Sequence, residues 1–211
     1  AQSFLETCTR PYVEDALSLM LPQGGFVSPN NTVIFNGIRI EYICENRGFY
    51  KPCIHQHPLL LNEMKFEIKK FVTPRVDACF EEMARSFRGR VGDVDYEQNL
   101  KIDVDLEEDK VILNIDRETT ISSNDETRRN NNFVIEIPSP AFNLGRIAME
   151  IANQEANFCY FEFVGYGILH PRYQIKKYTL SEPIDIYTIT DLKSGKVMNI
   201  AVRGCAFPEG V

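Results

Sequence analysis

The chain has 211 residues, 44% of them hydrophobic and 25% charged. That is enough apolar side chain to offset chain entropy, which excludes a disordered polypeptide and allows a core burying roughly 70% of the unfolded surface. A net charge of −7 and a pI near 5.1 set the chain against polyanions, because phosphate binding needs clustered Lys and Arg. The basic groups Arg85/Arg88/Arg90, Arg128/Arg129 and Lys176/Lys177 are short and read as solvated turns or helix ends, so nucleic acid is not an expected partner.

In chain order, residues 3–20 read as an amphipathic helix. Leu5, Cys8, Tyr12, Ala16 and Leu19 recur at helical spacing, Ser3 with Glu6 fits a capping box, and Pro11 predicts a kink or a later start. QGGFVSPNNT (23–32) is a turn-rich stop, and TVIFNGIRIEYIC then forms a hairpin about Asn36-Gly37. After CENRGFYKPCIHQHP (44–58), a second helix runs from Pro58 to about Phe87. Thr73-Pro74 is expected to kink or divide it.

Alternation then predicts strands at 100–106, 111–115 and 133–138, the last after a polar loop SSNDETRRNNN. AFNLGRIAMEIANQEA (141–156) predicts a helix. CYFEFV, YQIKKYTL, IDIYTIT and VMNIAVRGC predict strands, with GYG (165–167) as a bend and 191–195 as a hairpin loop. The fold class is α+β, with amphipathic helices packed on antiparallel β-meander sheets. A boundary near RGRVGDVD divides a helical part with a short hairpin (1–90) from a mainly antiparallel β part with one helix (91–211). A single compact domain is the alternative.

Six cysteines, no C-x-x-C spacing and one N-x-S/T sequon at Asn30 favour an oxidising compartment. Six cysteines allow fifteen full pairings. Cys8 and Cys79 lie on apolar helix stripes, Cys44 and Cys53 bracket a short loop, and Cys159 and Cys205 sit beside the last strands. Cys8–Cys79, Cys44–Cys53 and Cys159–Cys205 are therefore the expected pairs.

Cys53, His55 and His57 also alternate, so on an extended strand all three face one way and resemble a small zinc or copper site. That reading, and a Cys/His nucleophile, both require a reduced Cys53. Asp103 and Asp105, followed by Glu107, Glu108 and Asp109, read as the wet face of a strand more simply than as a calcium site. No G-x-S-x-G, H-E-x-x-H, P-loop or G-x-G-x-x-G is present, so no catalytic residue and no cofactor is assigned.

FLETCTRPYVEDALSLMLPQGGFVSP, LLLNEMKFEIKKFVTPRVDACFEE and YTITDLKSGKVMNIAVRG together resemble a set of archaeal exported proteins with one N-terminal membrane helix. The resemblance covers most of the chain and rests on structural motifs: helix-borne cysteines, the Gln-Gly-Gly turn and the closing hairpin. It implies an anchor before Ala1 and a domain outside the cytoplasm. It carries no activity.

The expected function is a non-enzymatic extracytoplasmic or cell-surface domain with a binding or envelope-structural role. Its partner would be a protein or envelope component, and its contact with a membrane would run through an anchor alone. Two alternatives stand: an extracytoplasmic hydrolase assembled from dispersed carboxylates and His, and a metal-binding module on Cys53, His55 and His57.

Overall fold

The protein is described in a computed structural model covering residues 1–48, 51–123, 126–181 and 183–204. In chain order the elements are α1 (Gln2–Met20), a 3₁₀ turn (Leu21–Gln23), β1 (Thr32–Phe35), β2 (Ile38–Glu45), β3 (Ile54–His55), α2 (Leu60–Phe87), β4 (Asp93–Tyr96), β5 (Lys101–Glu107), β6 (Lys110–Ser122), β7 (Thr127–Pro138), α3 (Ala141–Phe158), α4 (Phe163–Leu169), β8 (Tyr173–Ser181), β9 (Ile184–Asp191) and β10 (Val197–Arg203). This is an α+β fold. It forms two compact units, each built from two separated stretches: Ala1–Leu17 with Lys65–Pro138, and Ser18–Met64 with Ser139–Val211. The boundary expected near residue 90 therefore falls inside the first unit.

In the first unit α1 and α2 are antiparallel. Phe4 meets Phe87 at 5.7 Å between ring centroids, Cys8 is disulfide-bonded to Cys79, and the Arg75 guanidinium lies 6.0 Å from the Tyr12 ring. The helix begins before Ser3, so Ser3 is not its cap, and Glu6 pairs with Arg10 at 2.6 Å instead. Pro74 does not divide α2, and α1 runs through Pro11. Each proline removes one N–H donor, and the carbonyls so released belong to Thr7 and Lys70, exposed residues where water is an acceptable partner.

The sheet under these helices is centred on β6. β7 pairs along one edge, while β5 and β4 share the other. Ile102, Val104, Leu106, Val111, Leu113, Ile115, Phe133, Ile135 and Ile137 are buried, as the alternation required. Much of the polar stretch expected as a loop is strand: Thr127–Asn130 pairs with Ser122–Thr119 beyond a bulge at Asp116/Thr119. Its residues on β7 are exposed on both faces, so no hydrophobic alternation marks it. Arg117 sits in the bulge, 2% exposed, between the rings of Phe80 (4.8 Å) and Tyr96 (4.6 Å). It donates to the carbonyls of Glu97 and Gln98 and pairs with Asp77 at 2.8 Å.

The second unit holds a sheet ordered β1-β2-β10-β9-β8, with β3 also on β2. Asn36 and Gly37 adopt φ 49° and 78°, which closes the β1–β2 hairpin as the Asn-Gly pair predicts. The β2–β10 pairing is parallel, unlike the otherwise antiparallel sheet. α3 buries Leu144, Ile147, Ala148, Ile151 and Ala152. The stretch expected as strand CYFEFV is not one. Cys159 takes a left-handed conformation (φ 55°) that ends α3, and the Glu162 side chain caps α4, which contains the Gly-Tyr-Gly expected as a bend. The last hairpin turns through Asp191, whose carboxylate accepts from Arg172 (2.6 Å) and from the Ser194 hydroxyl (2.6 Å).

Candidate functional site

The cysteine- and histidine-rich stretch does not converge on one centre. Cys44 and Cys53 form a disulfide, so the Cys53 sulfur is neither a thiolate ligand nor a nucleophile, and the metal reading of Cys53, His55 and His57 is corrected on that ground. The strand expected to align the three spans only Ile54–His55. His55 hydrogen-bonds Asn153 through Nδ1 (3.0 Å), and burial lowers its pKa against that bond's opposing pull. Among the described residues no group of three or more His, Cys, Asp or Glu is arranged to hold a metal ion.

His57 lies between two carboxylates. Its Nδ1 is 2.5 Å from Glu63 at the start of α2, its Nε2 is 3.6 Å from Glu41 on β2, and its ring meets that of Phe26 at 4.7 Å, tilted by 52°. Glu41 is 4% exposed and accepts the backbone N–H groups of Asn30 (2.6 Å) and Asn31 (3.1 Å). The Gln-Gly-Gly turn makes room for this. Gly24 has φ 88°, and a Cβ there would stand 3.1 Å from the Glu41 Cβ. Burial alone would lower the His57 pKa, but the hydrogen bonds and charges of Glu41 and Glu63 outweigh it and raise it above the ordinary histidine value. With both ring nitrogens held by carboxylates, the group acts as a clamp on the 26–31 loop, β2 and the head of α2.

A second polar group is buried where α3 crosses the sheet. The Tyr187 hydroxyl donates to Glu155, 4% exposed, and the Lys177 ammonium lies 3.7 Å from Glu155 and 3.0 Å from Asp185. Burial raises the Glu155 pKa more than Tyr187 and Lys177 lower it, and burial beside that carboxylate raises the tyrosine's strongly. Four titratable groups therefore share one site, closed over by Phe161, whose ring meets Tyr187 edge-on at 6.0 Å.

Among the described residues of this unit, exposed apolar side chains gather along the stretch that leads into and forms α4. Phe158, Tyr160, Val164, Ile168 and Leu169 are 72, 49, 58, 76 and 77% exposed, and α4 buries none of its residues. α4 is held from beneath and at its head. Phe161 is buried and meets Tyr166 at 5.5 Å, Glu162 accepts the N–H groups of Val164 and Gly165, and the Tyr160 hydroxyl donates to Glu162. The first unit has an open groove of about 580 Å³ lined by Phe87, Val91, Ile121, Arg128 and others, but its Arg128 is already paired with Glu126 at 2.9 Å.

Asn30 of the sequon is exposed. Asp103 and Asp105 pair with Lys69 (3.2 Å) and Lys65 (3.1 Å), on a strand whose apolar residues are buried. Cys8–Cys79 and Cys44–Cys53 are bonded, and among the described residues no cysteine is free. The third expected pair involves Cys205, which lies outside them.

Sequence reasoning missed Glu41, Glu63, Glu155, Tyr187, Lys177 and the exposed face of α4. Glu155 was findable, since it continues the Leu144/Ala148/Ile151 stripe where a charge has no place unless paired. Glu41 carried no such signal.

No protein-family model matches the chain, and no match is found among curated proteins or solved structures. Among the described residues, no helix is long and apolar enough to cross a membrane.

Proposed function

We propose that the chain is a non-enzymatic extracytoplasmic domain, tethered to the membrane in its full-length form, whose work is binding or envelope structure. The observation that carries this reading is the disulfide pairing. Two bonds join Cys8 to Cys79 and Cys44 to Cys53, which suits an oxidising compartment and not a glutathione-reduced one. The exposed apolar face of α4, held rigidly by its cap and by Phe161, supports a binding role. Labelling of thiols in the denatured, unreduced protein isolated from its native host tests the compartment. Cys8, Cys44, Cys53 and Cys79 unreactive is the expected result, and all four reactive overturns the reading.

A second reading, an extracytoplasmic hydrolase, has one observation in its favour: the convergence of His57 with Glu41 and Glu63. Hydrolytic turnover of an ester, peptide or glycoside panel that is lost in His57→Gln would establish it over the first.

A further inference from the structure

We propose that the α4 face is the contact through which two copies of this chain associate, symmetrically, about Ile168 and Leu169. The inference rests on the binding reading of that face and names its partner.

A seven-residue helix is too short to be stable alone in water. Helices of this length persist when one side is packed: α4 sets half-buried Tyr166 against the buried Phe161, while it turns Val164, Ile168 and Leu169 outward. Val164 and Ile168 are four residues apart and share a helix face. Phe158 and Tyr160, on the chain leading into the helix, add two exposed rings. The geometry is pre-set, because the Glu162 cap and the buried Phe161 fix the helix before any partner arrives.

Area favours a protein surface. With about 150–200 Å² per large side chain, the five exposures sum to roughly 600 Å², the upper end for the largest apolar patch on a monomer. Two such faces give about 1,200 Å², above the roughly 1,000 Å² a specific interface needs. Charge then selects a second copy over an anionic lipid surface. The chain carries −7, but residues 158–169 (FCYFEFVGYGIL) contain a single charged side chain, Glu162, already engaged by the Tyr160 hydroxyl and two backbone N–H groups. A two-fold contact centred there brings like surface to like surface without opposing charges. An anionic headgroup layer would need a Lys/Arg cluster that this segment lacks.

Sedimentation of the oxidised protein across about 1–200 µM tests the proposal. A concentration-dependent dimer is expected, weakened about tenfold or more by Ile168→Asp or Leu169→Asp. Ile34→Asp, at a 69%-exposed apolar position on β1, should leave it unchanged. The milder Ile168→Ser, checked by circular dichroism, guards against a variant that fails to fold. A monomer at every concentration, or a dimer equally lost in Ile34→Asp, overturns the proposal. So does a monomer that binds phosphatidylcholine/phosphatidylglycerol vesicles through Ile168, which would assign the face to lipid. Thiol labelling reads the extracytoplasmic assignment independently, so the two can fail separately.

Discussion

Cys8 and Cys79 are bonded across two antiparallel helices, joining positions 71 residues apart. Closing so long a loop removes denatured-state entropy worth about 4 kcal/mol, whereas the 9-residue separation of Cys44 and Cys53 is worth about 2.7 kcal/mol. The paired variant Cys8→Ala/Cys79→Ala should therefore lose more stability in urea than Cys44→Ala/Cys53→Ala. Equal losses would show that native packing, not loop length, sets the contribution of each bond.

The His57 clamp predicts a pH dependence. Its folded pKa is raised above 6.5, so the native state binds the proton more tightly than the unfolded chain does. The stabilisation is fully present below pH 6.5 and is lost as pH rises through the folded pKa. His57→Gln should cost most near pH 5.5–6 and progressively less in alkaline solution, measured as the difference in urea midpoint. Glu63→Gln and Glu41→Gln should each reduce the slope, and Glu41→Gln should add a pH-independent loss by weakening the acceptor for the Asn30 and Asn31 N–H groups.

Glu155 predicts the same sign for a different reason. Burial raises its folded pKa, so ionisation is opposed in the native state and stability falls as pH climbs from about 4.5 through the folded value. Glu155→Gln keeps an acceptor for the Tyr187 hydroxyl but cannot ionise. The wild type minus variant difference should therefore become less favourable to the wild type over that window. Tyr187→Phe removes the donor from a buried carboxylate and should cost about 1–3 kcal/mol. A pH-independent difference for Glu155→Gln would mean Lys177 fully offsets the burial.

What the sequence made legible follows from which signals are local. The α2 stripe, the Asn36-Gly37 hairpin and the 102–106, 111–115 and 133–137 alternations depend on side-chain period alone, and each is present. The α1 helix is present too, but its buried face is Leu5, Val13, Ala16, Leu17 and Met20, and Leu19 of the expected stripe is exposed. The β7 extension over Thr127–Asn130 was hidden because both its faces are wet, and α4 because FVGYGIL has the composition of a strand while its start is set by the Glu162 cap. The sites were less legible still. His57 meets Glu41 and Glu63 from separate elements, and Glu155 meets Tyr187 32 residues away, so no spacing announces either. The alternation of Cys53, His55 and His57 pointed to a shared face only if the strand were long enough, and β3 is two residues.

Arg117 makes the sharpest test of the first unit. The β6 bulge turns its side chain under α2, where Phe80 and Tyr96 enclose the guanidinium, the carbonyls of Glu97 and Gln98 receive its N–H groups and the Asp77 carboxylate pairs with its charge. The planar fork matters more than the charge, because an ammonium cannot stack between two rings or reach both carbonyls at once. Arg117→Lys should thus lose about 2–3 kcal/mol despite keeping the charge. Asp77 is half exposed, so water can replace its partner, and Asp77→Asn should cost less than about 1 kcal/mol. If Asp77→Asn proved as damaging as Arg117→Lys, the ion pair and not the stacked, doubly donating guanidinium would be what holds β4 and the Glu97–Gln98 turn against the sheet.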